Sequence, residues 1–258
     1  MAFETVPADA YDRFMGRFST RLSARFADLG LEGVAPLDSV LDVGCGPGIL
    51  TRELVDRVGE ASVSAVDPAP LFVAASAATF PAADVRQAGA EALPFADDAF
   101  DAALAQLVVH FMTDPVAGVA EMARVTRSGG HVSACVWDHA GGHGPLSTFW
   151  AAARELRGDT TAQQHATGST EGDLGIVFAS AGLTDVHEGR LVVAVDFADF
   201  DDWWEPYTWG VGPAGDHVRS LDGAARSALE ARLRTELGEA PFTIEAAAWT
   251  AVGTAAAH

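Results

Sequence analysis

Three glycines at alternate positions, Gly44, Gly46 and Gly48, stand directly after a short apolar run, Ser39 to Val43. An acidic residue, Asp67, closes a second such run about 20 residues beyond them. The glycines remove Cβ atoms where a backbone must bend or let a ligand approach, and the helix that follows offers amide groups without internal partners. A carboxylate ending the second strand is placed to accept hydrogen bonds from ribose hydroxyls. Together they suit a nucleotide-like ligand. Each part also has a plain structural reading, as a loop and as a helix N-cap followed by Pro68, and the two readings are compatible. His110 is the first candidate for a general base, because an imidazole ordinarily titrates near neutrality. Asp138, His139 and His143 lie in a glycine-rich stretch that reads better as a lid than as a metal centre, and no metal site is expected.

The elements that must position these residues alternate between strand and helix periods. Ser39–Val43 reads as a strand, and Ile49, Leu50, Leu54, Val55 and Val58 recur at helix spacing. Ser62–Val66 is the second strand, 70–80 a helix, Asp84–Gln87 a third strand and Ala102–Leu107 a fourth. Pro115–Val125 is predicted as a helix with its C-cap in Arg127-Ser128-Gly129-Gly130, followed by a fifth strand over His131–Trp137. Further strands are predicted over Val186–Val195 and Phe242–Val252, the last pairing antiparallel with the one before it. In open parallel sheets ligands sit beyond the carboxyl ends of the strands, so the residues after the first, second and fourth strands should meet.

Asp42-Val43-Gly44-Cys45-Gly46-Pro47-Gly48, followed by Asp67, resembles the first two motifs of class I S-adenosylmethionine-dependent methyltransferases. A dinucleotide-binding pattern would require glycine where Ile49 stands, which favours a sulfonium cofactor over NAD. The resemblance covers residues 38–137 and implies an α/β fold: a doubly wound, Rossmann-like, seven-stranded sheet, mostly parallel with an antiparallel last strand, plus an inserted helical cover. It implies one methyltransferase domain over 1–258, with an N-terminal helical segment (1–37), a cofactor-binding half (38–137) and a substrate-side half (138–258) whose inserted helices span about 199–240. S-adenosylmethionine is the cofactor it implies. Asp42, Gly44, Cys45, Gly46, Gly48, Asp67, Pro68 and Gln106 are then expected to bind it, Ala90 and Glu91 to meet its adenine, and Tyr11 and Arg17 its methionine end.

The residues after the fourth strand, Gln106 to Phe111, fit neither the amino-methylases of DNA nor the cytosine C5 enzymes, so a small organic acceptor is the default. His110 and Trp137, with the aromatic run Trp203, Trp204, Tyr207 and Trp209, are candidates for the acceptor site. The same rings would equally serve to pack an inserted helical pair, Asp201–Trp209 and Gly223–Leu237. The predicted activity is in-line methyl transfer; cofactor binding without transfer, or an NAD-dependent oxidoreductase, are the alternatives.

Composition narrows the partners. The 258 residues carry a net charge of -20 with no lysine and no asparagine, which excludes a lysine Schiff base or a P-loop lysine and disfavours a nucleic-acid partner. No apolar run is long enough to span a bilayer, no secretory start is visible, and two cysteines give no disulfide framework. A reduced cytoplasm is the expected location. The oligomeric state is not legible.

Overall fold

The computed structural model of the protein describes residues 12–157 and 166–257. Seven strands form one sheet: β1 (Val40–Val43), β2 (Val63–Asp67), β3 (Asp84–Gln87), β4 (Phe100–Gln106), β5 (Thr126–Trp137), β6 (Thr184–Phe197) and β7 (Phe242–Thr254). Their order is β3-β2-β1-β4-β5-β7-β6. β1 pairs in parallel with β2 and β4, β2 with β3, and β4 with β5, while β7 runs antiparallel to both β5 and β6. The expected antiparallel partner of the sixth strand is therefore present. The chain steps outward from β1 to β3 and then returns to the other side of β1 with β4, which makes the β1/β4 boundary the switch point where open sheets bind ligands.

Alternation along the central strands explains why both faces are covered. Val40, Ala102, Leu104, Cys135 and Trp137 belong to one apolar cluster. Their neighbours Leu41, Val43, Ala103, Ala105, Ala134 and Val136 belong to another. Successive side chains of a strand point to opposite faces, so a strand apolar at every position must be buried twice. The first face is covered by α1 (Arg17–Leu31), whose Phe18, Leu22 and Phe26 form a buried stripe, by α2 (Ile49–Val58), and by the helices inserted after β6. The second is covered by α4 (Pro115–Val125) and α6 (Asp173–Ser180), while α3 (Pro70–Thr79) follows β2 and α5 (Ser147–Arg157) follows β5.

α1 begins at Arg17 behind a π-helical turn over Asp12–Gly16. Two details differ from the sequence reading. α4 ends not in a glycine cap but at Thr126, a β-branched residue in extended conformation whose hydroxyl donates to Met122 O at 2.8 Å. β5 starts there, and Arg127–Gly130 run beside the C-terminal end of β7, with Gly129 N–H donating to Ala255 O and Ala255 N–H to Gly130 O, both at 2.9 Å. The insertion holds three helices rather than two: α7 (Phe200–Trp204) with a 3-10 extension to Trp209, α8 (Gly212–Ser220) and α9 (Gly223–Leu237). α8 escaped notice because Gly212-Pro213 and Gly215 read as loop, although proline at a helix's first turn is favourable. Among the described residues no helix is long and apolar enough to cross a membrane.

Candidate functional site

The turn after β1 folds as its glycines require. Gly44, Gly46 and Gly48 take φ of 73, 54 and 96°, values that cost L-residues with a Cβ about 1–2 kcal/mol each. Gly44 and Cys45 both donate to Val66 O, at 2.8 and 2.9 Å, which ties the turn to the end of β2. A Cβ on Gly44 would lie 2.4 Å from a methyl of Val108, in the segment after β4, whereas one on Gly46 would meet nothing within 4 Å. Gly44 is thus demanded by the protein's own packing, and Gly46 faces open space.

Two carboxylates stand at the strand ends. Asp67 Oδ2 accepts from Gly46 N–H at 2.9 Å and its Oδ1 from Ala69 N–H at 2.8 Å, so the side chain is fixed in place with two of its roughly four acceptor positions still free. Burial raises its pKa, against the lowering effect of those two amides. Asp42, 1% exposed, accepts from the Thr51 hydroxyl at 2.6 Å. Burial, reinforced by the charge of Asp67 and opposed by Thr51, pushes Asp42 up to about 7. Burial, with Asp42 and Asp67 nearby, also holds the Cys45 thiol well above its usual range, so it is neutral and not a nucleophile.

These groups line a cavity of about 280 Å³ at the switch point. Of the predicted cofactor residues, Asp42, Gly44, Cys45, Gly46, Asp67, Pro68 and Gln106 are in its wall. Gly48 is not: it is the left-handed N-cap of α2 and packs beside Phe80. Ala90 is buried in the second apolar cluster, and Glu91 spends a carboxylate oxygen on Thr113 N–H at 2.8 Å, so neither reaches the cavity. Arg17 is held away by Asp202, with which it forms two bonds of 2.9 and 3.1 Å while lying over the Phe197 ring. Tyr11 lies outside the described residues. α1 does reach the cavity, but through Ser19. The Ser19 hydroxyl and the Gln106 Oε1 are both buried without a hydrogen-bond partner, so the wall carries two unsatisfied polar atoms. Phe72, from α3, and Phe111 complete the wall and were not foreseen, because nothing in their local sequence separates them from core residues.

β4 is followed by Leu107 with φ of 62°, a conformation uncommon for a bulky residue and found where surrounding structure enforces it. Its N–H is anchored on Cys135 O at 2.9 Å. The turn directs Val108 toward Gly44 and the following 3-10 segment, Val109–Phe111, toward a second cavity of about 70 Å³. His110, Trp137 and His139 line that cavity. Trp203 and Tyr207 instead border a separate small cleft, and Trp204 and Trp209 border none of these cavities. Tyr207, 1% exposed, packs edge-on to Phe14 and stacks on Phe149, at centroid distances of 4.9 and 4.7 Å. The aromatic run is therefore chiefly core, since burying large rings onto the sheet face is what the inserted helices need. Among the described residues no group of three histidine, cysteine or acidic side chains is arranged to hold a metal: His143 pairs with Asp138 at 2.8 Å, and His139 turns to His110.

The raised pKa of Asp42 makes a pH prediction with a definite sign. Its folded value, about 7, exceeds the ordinary 3.8, so the folded chain binds the extra proton between those limits and loses stability as pH rises through that window. Asp42→Asn should therefore raise the melting temperature of the ligand-free chain at pH 8 and leave it nearly unchanged at pH 4. Thermal melts of both proteins across that range check this; an equal difference at both ends contradicts it.

Residues 41–134 match the family described as a methyltransferase domain. An uncharacterised methyltransferase of Schizosaccharomyces pombe is 32% identical over 126 residues, 42% of this chain and 45% of that protein. A demethylmenaquinone methyltransferase of Mycobacterium sp. (strain JLS) is 38% identical over 104 residues, 40% of this chain and 43% of that protein. The chain thus spans under half the length of these curated relatives. The solved structure of YcgJ from Bacillus subtilis superposes with a TM-score of 0.57 at 19% identity, covering 93% of this chain and 99% of that one. Geranyl diphosphate C-methyltransferase from Streptomyces coelicolor A3(2), solved with Mg2+, geranyl diphosphate and S-adenosyl-L-homocysteine, gives 0.52 at 16% identity over 91% and 78%. At these identities the structures establish the fold alone. The matched stretch holds β1 to the body of β5, and with it the glycine turn and Asp67, so residues 41–134 form a methyltransferase domain of the S-adenosylmethionine-dependent class I kind.

Proposed function

We propose that the chain binds S-adenosylmethionine in the larger cavity and transfers its methyl group to a small organic acceptor. The observation that carries this reading is Asp67, whose carboxylate is fixed by Gly46 and Ala69 N–H in the cavity wall with acceptor positions to spare for a ribose diol. Gly46 leaves room beside it for a ligand backbone. At the far side, Ser19 Oγ and Gln106 Oε1 supply the unpaired polar atoms that an amino acid moiety needs. When bound, the cofactor supplies an electrophilic methyl group on a sulfonium, with a neutral thioether as leaving group. What remains for the protein is alignment, and well-oriented pairs reach effective molarities of about 10⁵–10⁸ M.

In this reading the whole chain is one methyltransferase unit, residues 38–137 holding the cofactor and 138–258 contributing the acceptor side. The charge of -20 argues against a nucleic-acid acceptor, and two free, buried thiols suit a reducing cytoplasm. Saturating S-adenosylmethionine or S-adenosylhomocysteine at about 100 times its dissociation constant should raise the melting temperature by roughly 5–10 °C. NADH should not. A shift with NADH and none with the adenosyl compounds would overturn the reading.

A further inference from the structure

The smaller cavity shares two walls, Leu107 and Phe111, with the larger one. None of the described residues that line it carries a carboxylate or a guanidinium, so it offers no counter-charge to an ionised guest. It does contain polar atoms in want of partners. Trp137, 3% exposed, has its indole N–H buried without an acceptor, and His110 has Nδ1 buried and unpaired. His139 stands beside His110 with ring centroids 5.9 Å apart. The left-handed turn at Leu107 holds this arrangement next to the donor cavity.

We propose that this cavity is the acceptor pocket and that it selects an uncharged, largely apolar molecule by a single hydroxyl, whose oxygen accepts from Trp137 Nε1–H and whose proton faces His110 Nδ1. The inference rests on the larger cavity being the donor site. The acceptor oxygen bonds to the methyl carbon as the carbon–sulfur bond breaks and its electron pair remains on sulfur; the hydroxyl proton passes to His110 and from there to solvent. Burial, with His139 alongside, pushes His110 down to about 3, and burial pushes His139 down to about 4, so both rings are neutral when the acceptor enters. This corrects the expectation that His110 titrates near neutrality. So weak a base takes the proton only once the forming bond has made the oxygen acidic, which places proton transfer with or after methyl transfer. Among the described residues, an ammonium acceptor would give up its hydration for a lining without an anion, and a carboxylate or phosphate would meet no cation.

The test uses the full chain saturated with S-adenosylhomocysteine, titrated with phenol, benzylammonium and benzoate and followed by ligand-observed NMR. Phenol should bind at least tenfold more tightly than either ion. Trp137→Phe and His110→Leu should each reduce that advantage to less than threefold while the affinity for S-adenosylhomocysteine, measured in parallel by calorimetry, stays unchanged. Because Trp137→Phe keeps an aromatic ring and removes an unpaired buried donor, its melting temperature should be the same or higher. Equal or tighter binding of either ion, no binding of phenol, or a phenol affinity indifferent to both substitutions would overturn the inference. Loss of S-adenosylhomocysteine binding by the unaltered chain is a separate readout that would remove the donor-site reading and this inference with it.

Discussion

Asp67→Ala should weaken S-adenosylmethionine binding roughly tenfold to a few hundredfold, because hydrogen bonds to a charged group contribute about 1.5–3 kcal/mol and the ribose diol has no other carboxylate at the end of β2. The substitution also frees the N–H groups of Gly46 and Ala69, which the carboxylate holds at 2.9 and 2.8 Å. Its effect on stability therefore has to be measured beside its effect on binding. Burial of the charge and loss of the two bonds act in opposite directions on the ligand-free fold, so the melting temperature should move little while affinity falls. Calorimetric titration with S-adenosylhomocysteine gives the first quantity and a thermal melt the second. An affinity within threefold of the parent would take Asp67 out of the site.

Gly46→Val should abolish detectable binding while the protein still folds. At φ of 54° any L-residue costs about 1–2 kcal/mol, a strain a domain of ordinary stability survives, and a Cβ there meets no protein atom within 4 Å. The added methyls then occupy space the ligand needs. Gly44→Ala makes the informative contrast: its Cβ falls 2.4 and 2.6 Å from the two methyls of Val108, so it should destabilise the ligand-free chain more than Gly46→Val does, even though it adds less bulk. Melting temperatures of the two variants, with equilibrium dialysis against labelled S-adenosylmethionine, separate the cases. Normal binding by Gly46→Val would contradict the close approach proposed for the ligand.

The contrast between Gly44 and Gly46 also marks how far sequence could be read. That three glycines follow a strand is local information, and so is the position of Asp67 at the end of the next strand; both features of the candidate site are legible because each depends on a few consecutive residues. Which glycine serves a ligand and which serves Val108 depends on where the chain returns after β4. The same limit explains α1. Arg17 and Ser19 are two positions apart on a helix, about 200° around its axis, so they point to different places. An arginine looks like the better ligand in sequence, yet Asp202, from the distant insertion, binds it, and the modest Ser19 faces the cavity.

Strands and helices with strong local signals were read well. α4 begins with Pro115 behind Asp114, whose carboxylate caps Ala117 N–H at 3.0 Å, and its range is the one the sequence predicts, although its cap is Thr126 and not a glycine. Aromatic residues gave less, because a ring that packs a core and a ring that walls a pocket have the same composition and spacing. Trp203, Trp204, Tyr207 and Trp137 all belong to one core cluster, but of these Trp137, at the end of β5, also lines the smaller cavity. The place of His110 after β4 is legible in sequence, but its electrostatics are not, since these follow from burial and from His139, a neighbour supplied by another loop.

The most direct measurement is a crystal structure of the chain with S-adenosylhomocysteine. The account predicts density in the 280 Å³ cavity, with both ribose hydroxyls within hydrogen-bond distance of Asp67 and the sulfur turned toward the walls shared by Leu107 and Phe111. A ligand bound elsewhere, or one in this cavity with its ribose away from Asp67, would contradict it.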